Sequence, residues 1–318
     1  MSVPNTSTFS LIDVTTELDG GETSLQACFD NSIESGFDPT YNNDGYSPAN
    51  NQLRFRNYSH VDMWHISQTV YNSVSFYVPG FDMDGLTFKS DGSAFYTIDD
   101  SFNTVNKYNL TTNWDLSNGA SVSSDSFALT NTSRGRSIFI TTDGVHMYIT
   151  DYSGNISCDH YIMSTPWLLS SSTYSDQFLS PTNLVYAPYV TDDGSLMFLT
   201  EINGITRKYS LSTAHNPSSA SLVQTGSRGS GWFTICSGWN PNGWQMFSIN
   251  TTTLIIEQYN LSSEYNISDL TTVAETADLD DQGVTPPFAA PFGISFKPDG
   301  SRYWVVDSTN ETIHQFDF

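Results

Sequence analysis

From about residue 74 onward, apolar and polar residues alternate in short runs with a period of two. Leu86 and Phe88, Ile138 and Ile140, Pro188 and Val190, and Ile294 and Phe296 form such runs, and each is followed by Asp-Gly. A period of two belongs to strands buried on one face. Asp-Gly or Asn-Gly beside alternating runs is a strong hairpin signal. The turn recurs at Asp91-Gly92, Asp143-Gly144, Asp193-Gly194, Asn242-Gly243 and Asp299-Gly300, at steps of 52, 50, 49 and 57 residues. Before Asn242 the run "WFTICSGW" fits the pattern with a residue or two inserted.

Each copy shares an internal order. Five positions after the turn's Asp or Asn stands a large aromatic: Tyr96, Tyr148, Phe198, Phe247 or Trp304. Eight positions after it stand Asp99, Asp151, Glu201, Asn250 and Asp307. A third strand then ends on Tyr108, Tyr161, Tyr209, Tyr259 or Phe316. Fourth strands are expected near "SSDSFAL", "YSDQFLS", "SLVQTG" and "LTTVAETA" in the first four copies, whereas the fifth stops at Phe318. Four-stranded units repeated at this length predict a mainly β protein, a five-bladed β-propeller over residues 73–318. The spare run Val74–Val78 is expected to supply the missing outer strand of the last blade, because an open array leaves two strand edges exposed.

Residues 1–72 do not repeat. They predict a small module with one short helix around Ser24–Ser35, a polar loop, and a strand at "LRFRNYSHV". So short a segment cannot bury a large core alone. Leu25, Phe29 and Phe55 are therefore expected to anchor the module on another protein or to make a homo-oligomer.

Charge narrows the partners. The chain carries 11 Lys and Arg against 34 Asp and Glu, a net charge of -23. That balance excludes phosphate-driven nucleic-acid binding and attraction to anionic membranes. Only 8 of the acids are Glu, so the excess is Asp, a turn former, which agrees with a strand-and-turn chain. Cys28, Cys158 and Cys236 show no metal or redox spacing and are expected as buried or half-buried thiols. The opening "MSVPNTSTFS" lacks a basic and apolar leader, so synthesis in a cytoplasm without a secretion signal is expected. No run reaches the length of a membrane-inserted helix.

Propeller enzymes keep their acid and base carboxylates on the strands nearest the axis. Asp82 and Asp84 open blade one, Arg134 and Arg136 open blade two, and the others begin near Asn183, Gly231 and Phe292. Carboxylates on one blade alone do not make an acid/base pair, and the six His show no ligand spacing. No catalytic residue, metal or cofactor is expected; a glycan-degrading enzyme is the alternative reading, and a spacer without ligand a third. Asp99, Asp151, Glu201 and Asp307 are expected to bond loop backbone rather than ligand. Trp232, Trp239 and Trp244 lie together in "GWFTICSGWNPNGW", beside the loop "GSRGSGW" that carries Arg228. Aromatic faces stack on sugars, so these Trp with Arg228 and Arg134 form the expected ligand-binding set. The competing role of the Trp is packing between blades.

The stretches "SVPNTSTFSLIDV", "SLQACFDNS", "GFDPTY" and "LRFRNYSH" resemble the N-terminal module of structural proteins of tailed phages infecting Bacteroidetes, flavobacteria included. "GLTFKSDGSAFYTIDDSFNTVNKYNLTTNWDLS" and "GISFKPDGSRYWVVDSTNETIHQFDF" resemble propeller repeats of such phage proteins, and also the Asp-Gly repeats of periplasmic propellers of the TolB type. The phage resemblance implies a virion-anchoring module, residues 1–72, carrying a variable outer domain. It implies a virion location, as fibre, neck appendage or capsid decoration. It also implies other virion proteins and host-surface carbohydrate as partners. In that family the loop before "FRNY" is richer in Lys than it is here.

Overall fold

The computed structural model describes residues 64–78, 83–152, 157–180, 184–228 and 236–318. The expected helix at 24–35 and the residues Leu25, Phe29, Phe55, Cys28 and Trp232 lie outside them. The chain separates into two compact units: residues 1–65 with Pro298–Ser301 and Phe318, and residues Ile66–Lys297 with Arg302–Asp317.

The second unit is a five-bladed β-propeller. Blade one is β2 (Met83–Phe88), β3 (Ala94–Asp99), β4 (Thr104–Thr112) and β5 (Asp115–Ala128). Blade two is β6 (Gly135–Ile140), β7 (His146–Asp151), β8 (Ser157–Met163) and β9 (Ser172–Leu179). Blade three is β10 (Val185–Val190), β11 (Leu196–Glu201), β12 (Ile205–Leu211) and β13 (Ala220–Ser227). Blade four is β14 (Cys236–Trp239), β15 (Gln245–Asn250), β16 (Ile255–Asn260) and β17 (Glu275–Asp278). Blade five takes β18 (Pro291–Phe296), β19 (Arg302–Asp307) and β20 (Thr312–Asp317), and its outer strand is β1 (Val70–Tyr77). Strands β2, β6, β10, β14 and β18 pack on one another in a closed circuit around the axis.

The closing strand starts four residues earlier than expected. It pairs Val70 with Asp317 and Tyr77 with Thr312, across a bulge between Tyr71 and Val74. Val78 lies past the strand, where its N–H donates to the Glu311 carbonyl at 2.9 Å. The fourth blade needs no insertion. Trp239 stands three residues before its turn, in step with Phe88, Ile140, Val190 and Phe296. The aromatics five positions past each turn are all buried, as are those ending the third strands.

A second repeated element lies between the third and fourth strands. Gly92 has φ +71°, and a Cβ there would lie 2.3 Å from the Trp114 ring. Trp114 itself adopts φ 62°, and its N–H donates to the Gly92 carbonyl at 2.9 Å. An aromatic lid in left-handed backbone therefore seals the hairpin turn, and only glycine leaves room for it. Trp167 seals Gly144, His215 seals Gly194, and Tyr265 seals Gly243 in the same way. Within the first unit, Trp64 takes this place over Gly300 and packs on Phe318 at 5.9 Å.

Two residues beyond each lid comes a buried apolar residue: Leu116, Leu169, Pro217, Ile267 and Ile66. Four of these carry an N–H, and each donates to a side chain of the neighbouring blade. Leu116 bonds Gln315 at 2.9 Å, Leu169 bonds Asp125 at 2.9 Å, Ile267 bonds Gln224 at 3.1 Å and Ile66 bonds Gln258 at 2.9 Å. Pro217, with no N–H, needs no such partner. The closing segment is thus a full loop and strand, and it begins before Val70.

Histidines are buried at two places, one of them between blades two and three. His146 stacks on His215 at 4.0 Å and its Nδ1 lies 2.9 Å from His160 Nε2. His160 Nδ1 lies 3.2 Å from Asp176 Oδ2, and Tyr148 stacks on the His160 ring. Burial, with repulsion from His215 and His160, lowers the His146 pKa to about 4. His314, opposite Ser75 of the closing strand, packs on Phe288 and Tyr71, and burial lowers its pKa to about 4.

Two outcomes are expected. Deleting residues before Gly80 removes the loop and strand that close blade five, so the protein should aggregate or fail to melt cooperatively. Ile66→Ala, which empties a fully buried site, should cost about 2–5 kcal/mol, read in a denaturant titration. Wild-type stability in both variants would show that the ring does not depend on this segment. The second outcome concerns pH. Unfolded His titrates near 6.5, above both folded values. The stability these rings contribute is therefore complete above pH ~6.5 and is lost as pH falls towards ~4. The melting temperature should fall across that window, and His146→Asn or His314→Gln should flatten the fall; an unchanged slope in both variants would contradict the assignment.

Candidate ligand site at the propeller axis

Four innermost strands carry a bulge near their start: between Asp84 and Leu86 in β2, Gly135 and Ser137 in β6, Tyr186 and Tyr189 in β10, and Pro291 and Gly293 in β18. A bulge re-aims one side chain. At Gly85 (φ +67°) a Cβ would lie 2.9 Å from the Ile138 N, so blades one and two meet backbone to backbone there. That closeness brings the bulged Arg136 against Asp84 of the neighbouring blade.

Arg136 Nη1 donates to Asp84 Oδ2, and its Nη2 lies 3.3 Å from Asp100 Oδ2. Its guanidinium carbon stands 5.0 Å from the Tyr152 ring centre and 5.4 Å from that of Phe292. Arg134 grips Asp100 with Nε and Nη2, at 2.9 and 2.7 Å, and lies 5.4 Å from the Tyr152 ring. Asp151 fixes the backbone behind it, accepting from the Ser133 and Arg134 N–H at 2.8 and 3.2 Å. The side chains of Asp84 and Asp100 are 0% and 2% exposed, whereas Arg134 is 45% exposed. Buried carboxylates need such partners. The hydrogen bond to Asp100 raises the Arg134 pKa, and burial raises that of Tyr186 nearby. Two guanidiniums face two carboxylates, and the rings of Tyr152 and Phe292 lie against the guanidiniums.

The other candidates go elsewhere. Trp239 is buried between blades three and four, 4.6 Å from Phe198 and 5.7 Å from Tyr189, so its role is packing. Trp244 is half-buried and its N–H donates to Asn242 in the turn. Arg228 is buried, donating to the Gly204 carbonyl at 3.1 Å and to Thr206 Oγ1 at 2.8 Å, and burial lowers its pKa to about 10. The structure brings neither Arg228 nor Trp239 to the surface or to Arg134.

The repeated acids hold the blades. Asp99 accepts from the Phe102 N–H at 3.1 Å and Asn250 from those of Thr252 and Thr253 at 3.0 and 3.2 Å. Asp307 accepts from the Ala289 and Ala290 N–H at 2.9 and 3.1 Å, and Glu201 pairs with Arg207. Asp151 and Asp307 thus bind the loop that leads into their own blade, and Asp307 also accepts from the Asn310 N–H at 3.3 Å in the loop that follows. Among the described residues no three His, Cys, Asp or Glu side chains are grouped to hold a metal ion, and no helix is long and apolar enough to cross a membrane. Cys158 and Cys236 are buried free thiols. Sequence reading missed Asp100 and Tyr152; each directly follows a repeated acid and so faces the same end of the blade.

Removing the Arg136 guanidinium while Asp84 stays in place should be severe, about 3–5 kcal/mol for breaking a buried pair. Arg136→Met should show that loss in denaturant titration. Asp84→Asn together with Arg136→Met should recover part of it, and a double variant as unstable as the two losses added would contradict the pairing.

No family model and no curated protein matches the chain. Among solved structures, it is similar to a functionally unknown protein from Desulfotomaculum acetoxidans, with 15% identity over 71% of this chain and 63% of that one, at a TM-score of 0.44. It is also similar to a protein from Lactobacillus plantarum, with 9% identity over 70% of this chain and 63% of that one, at a TM-score of 0.45. The chain spans less than two thirds of the length of either.

Proposed function

We propose that this protein is a non-enzymatic binding protein of a phage virion, in which residues 1–72 attach the chain and the propeller meets host-surface glycan or a neighbouring virion protein. One observation carries the binding reading over the enzymatic one. The carboxylates at the axis, Asp84 and Asp100, are held by Arg136 and Arg134, and the repeated acids hold loop backbone or Arg207. A glycosidase needs one carboxyl as acid and a second as base or nucleophile, both facing the sugar. Buried and charge-paired carboxylates serve neither role. The virion assignment rests on the resemblance of the N-terminal stretches, and a net charge of -23 suits a surface exposed to solvent and keeps it off nucleic acid.

Gold-labelled antibody against the propeller, applied to phage particles from a producing culture, should decorate the particles at one repeated place. The purified chain should release no reducing ends from bacterial surface polysaccharide. Unlabelled particles would remove the virion assignment, and released sugar would replace binding with hydrolysis.

A further inference from the structure

Arg134 uses one edge of its guanidinium on Asp100 and still leaves 45% of its side chain in solvent. Tyr152, 5.4 Å away, is 37% exposed. An outward donor edge beside an exposed ring is a pairing that sugars fit: hydroxyl oxygens accept from the guanidinium, and the C–H face of the pyranose lies on the ring. We infer that Arg134 and Tyr152 form the contact surface for a neutral sugar, with Asp100 and Arg136 as the groups that position them. The inference rests on the glycan-binding reading above and names the class of sugar.

Charge selects neutral over acidic sugars. Arg134 and Arg136 are matched by Asp84 and Asp100, so the cluster has no net positive charge to draw an anion. Around it the chain carries a net charge of -23, which repels a carboxylate or sulfate before contact. What the site offers outward is the donor edge of Arg134, which suits hydroxyl or acetamido oxygens, and the exposed part of the Tyr152 ring. Rigidity favours the same use. Asp151 pins the Arg134 backbone, Asp100 fixes two guanidinium nitrogens, and Arg136 is held against both Tyr152 and Phe292. Little side-chain freedom remains to be lost on binding. The Trp cluster of blade four is not needed: Trp239 is buried among rings of its own and the preceding blade.

The test uses the full chain and two panels read by saturation-transfer NMR and calorimetry. One panel holds the methyl glycosides of glucose, galactose, mannose and N-acetylglucosamine; the other holds glucuronate and N-acetylneuraminate. A neutral glycoside should bind, in the weak range of about 1 mM expected for one contact surface. Arg134→Gln and Tyr152→Leu should each weaken it about tenfold, or about 1.4 kcal/mol. Tyr152→Leu should melt near the parent. Arg134→Gln takes a partner from buried Asp100 and should melt lower, so its binding is read at a temperature where it is folded. Acidic sugars should bind more weakly, with the gap narrowing as salt is raised. Three results would overturn the inference: no neutral glycoside bound, parent-like binding in both folded variants, or tighter binding of the acidic panel. If particles are labelled by the antibody and yet no glycoside binds, the sugar site falls and the virion reading stands.

Discussion

A ring of sheets is stable only when its last sheet is complete, since any blade short of its outer strand exposes unpaired N–H and C=O groups along an edge. In this propeller the pairing of β1 with β20 answers that requirement, with six pairs of facing residues from Val70–Asp317 to Tyr77–Thr312. The strand brings its lead-in loop with it. Ile66 enters the seam between blades four and five just as Leu116, Leu169, Pro217 and Ile267 enter theirs. Its N–H finds Gln258 as theirs find Gln315, Asp125 and Gln224. Closure is therefore by one repeat of the same element that joins every other pair of blades.

The axis site follows from how tightly the ring draws in its innermost strands. Gly85 admits the backbone of β6, and Gly293, whose Cβ would lie 3.0 Å from the Leu86 N, admits that of β2. Side chains cannot fill a space that narrow, so the bulged residues just outside it, Arg136 and Phe292, carry the chemistry. Burial then decides which groups coexist: Asp84 and Asp100 can be buried because two guanidiniums lie against them. The same arrangement leaves Arg134 and Tyr152 partly exposed.

The five blades were legible because the Asp-Gly turn, the aromatic five positions later and the alternating runs each repeat with a physical cause. So was β1, whose run belonged to no blade of its own. The lid element was not read, although Trp64-His65-Ile66-Ser67 parallels Trp114-Asp115-Leu116-Ser117 and Tyr265-Asn266-Ile267-Ser268. It lies in the connection between strands, where the period-two alternation that marks the blades is absent. Alternation alone also puts an insertion into "WFTICSGW" that the strand does not have. Counting three residues back from each turn puts Trp239 in line with Phe88 and Phe296, a core position, rather than in a surface cluster. At the axis, Arg134, Arg136 and Asp84 could be found by their place at strand starts. Their pairing could not, because it joins blades 52 residues apart through bulges that strand periodicity does not register.

If the ring is one cooperative body closed by β1, its closing strand cannot open by itself. Native-state hydrogen exchange across a denaturant series measures this directly, because each amide reports the free energy of the opening that exposes it. Paired amides of β1 and β20 should exchange with the same free energy and denaturant dependence as the buried middle strands β3, β7 and β15. Early exchange of β1 and β20, at low free energy and with the other blades still protected, would contradict the account.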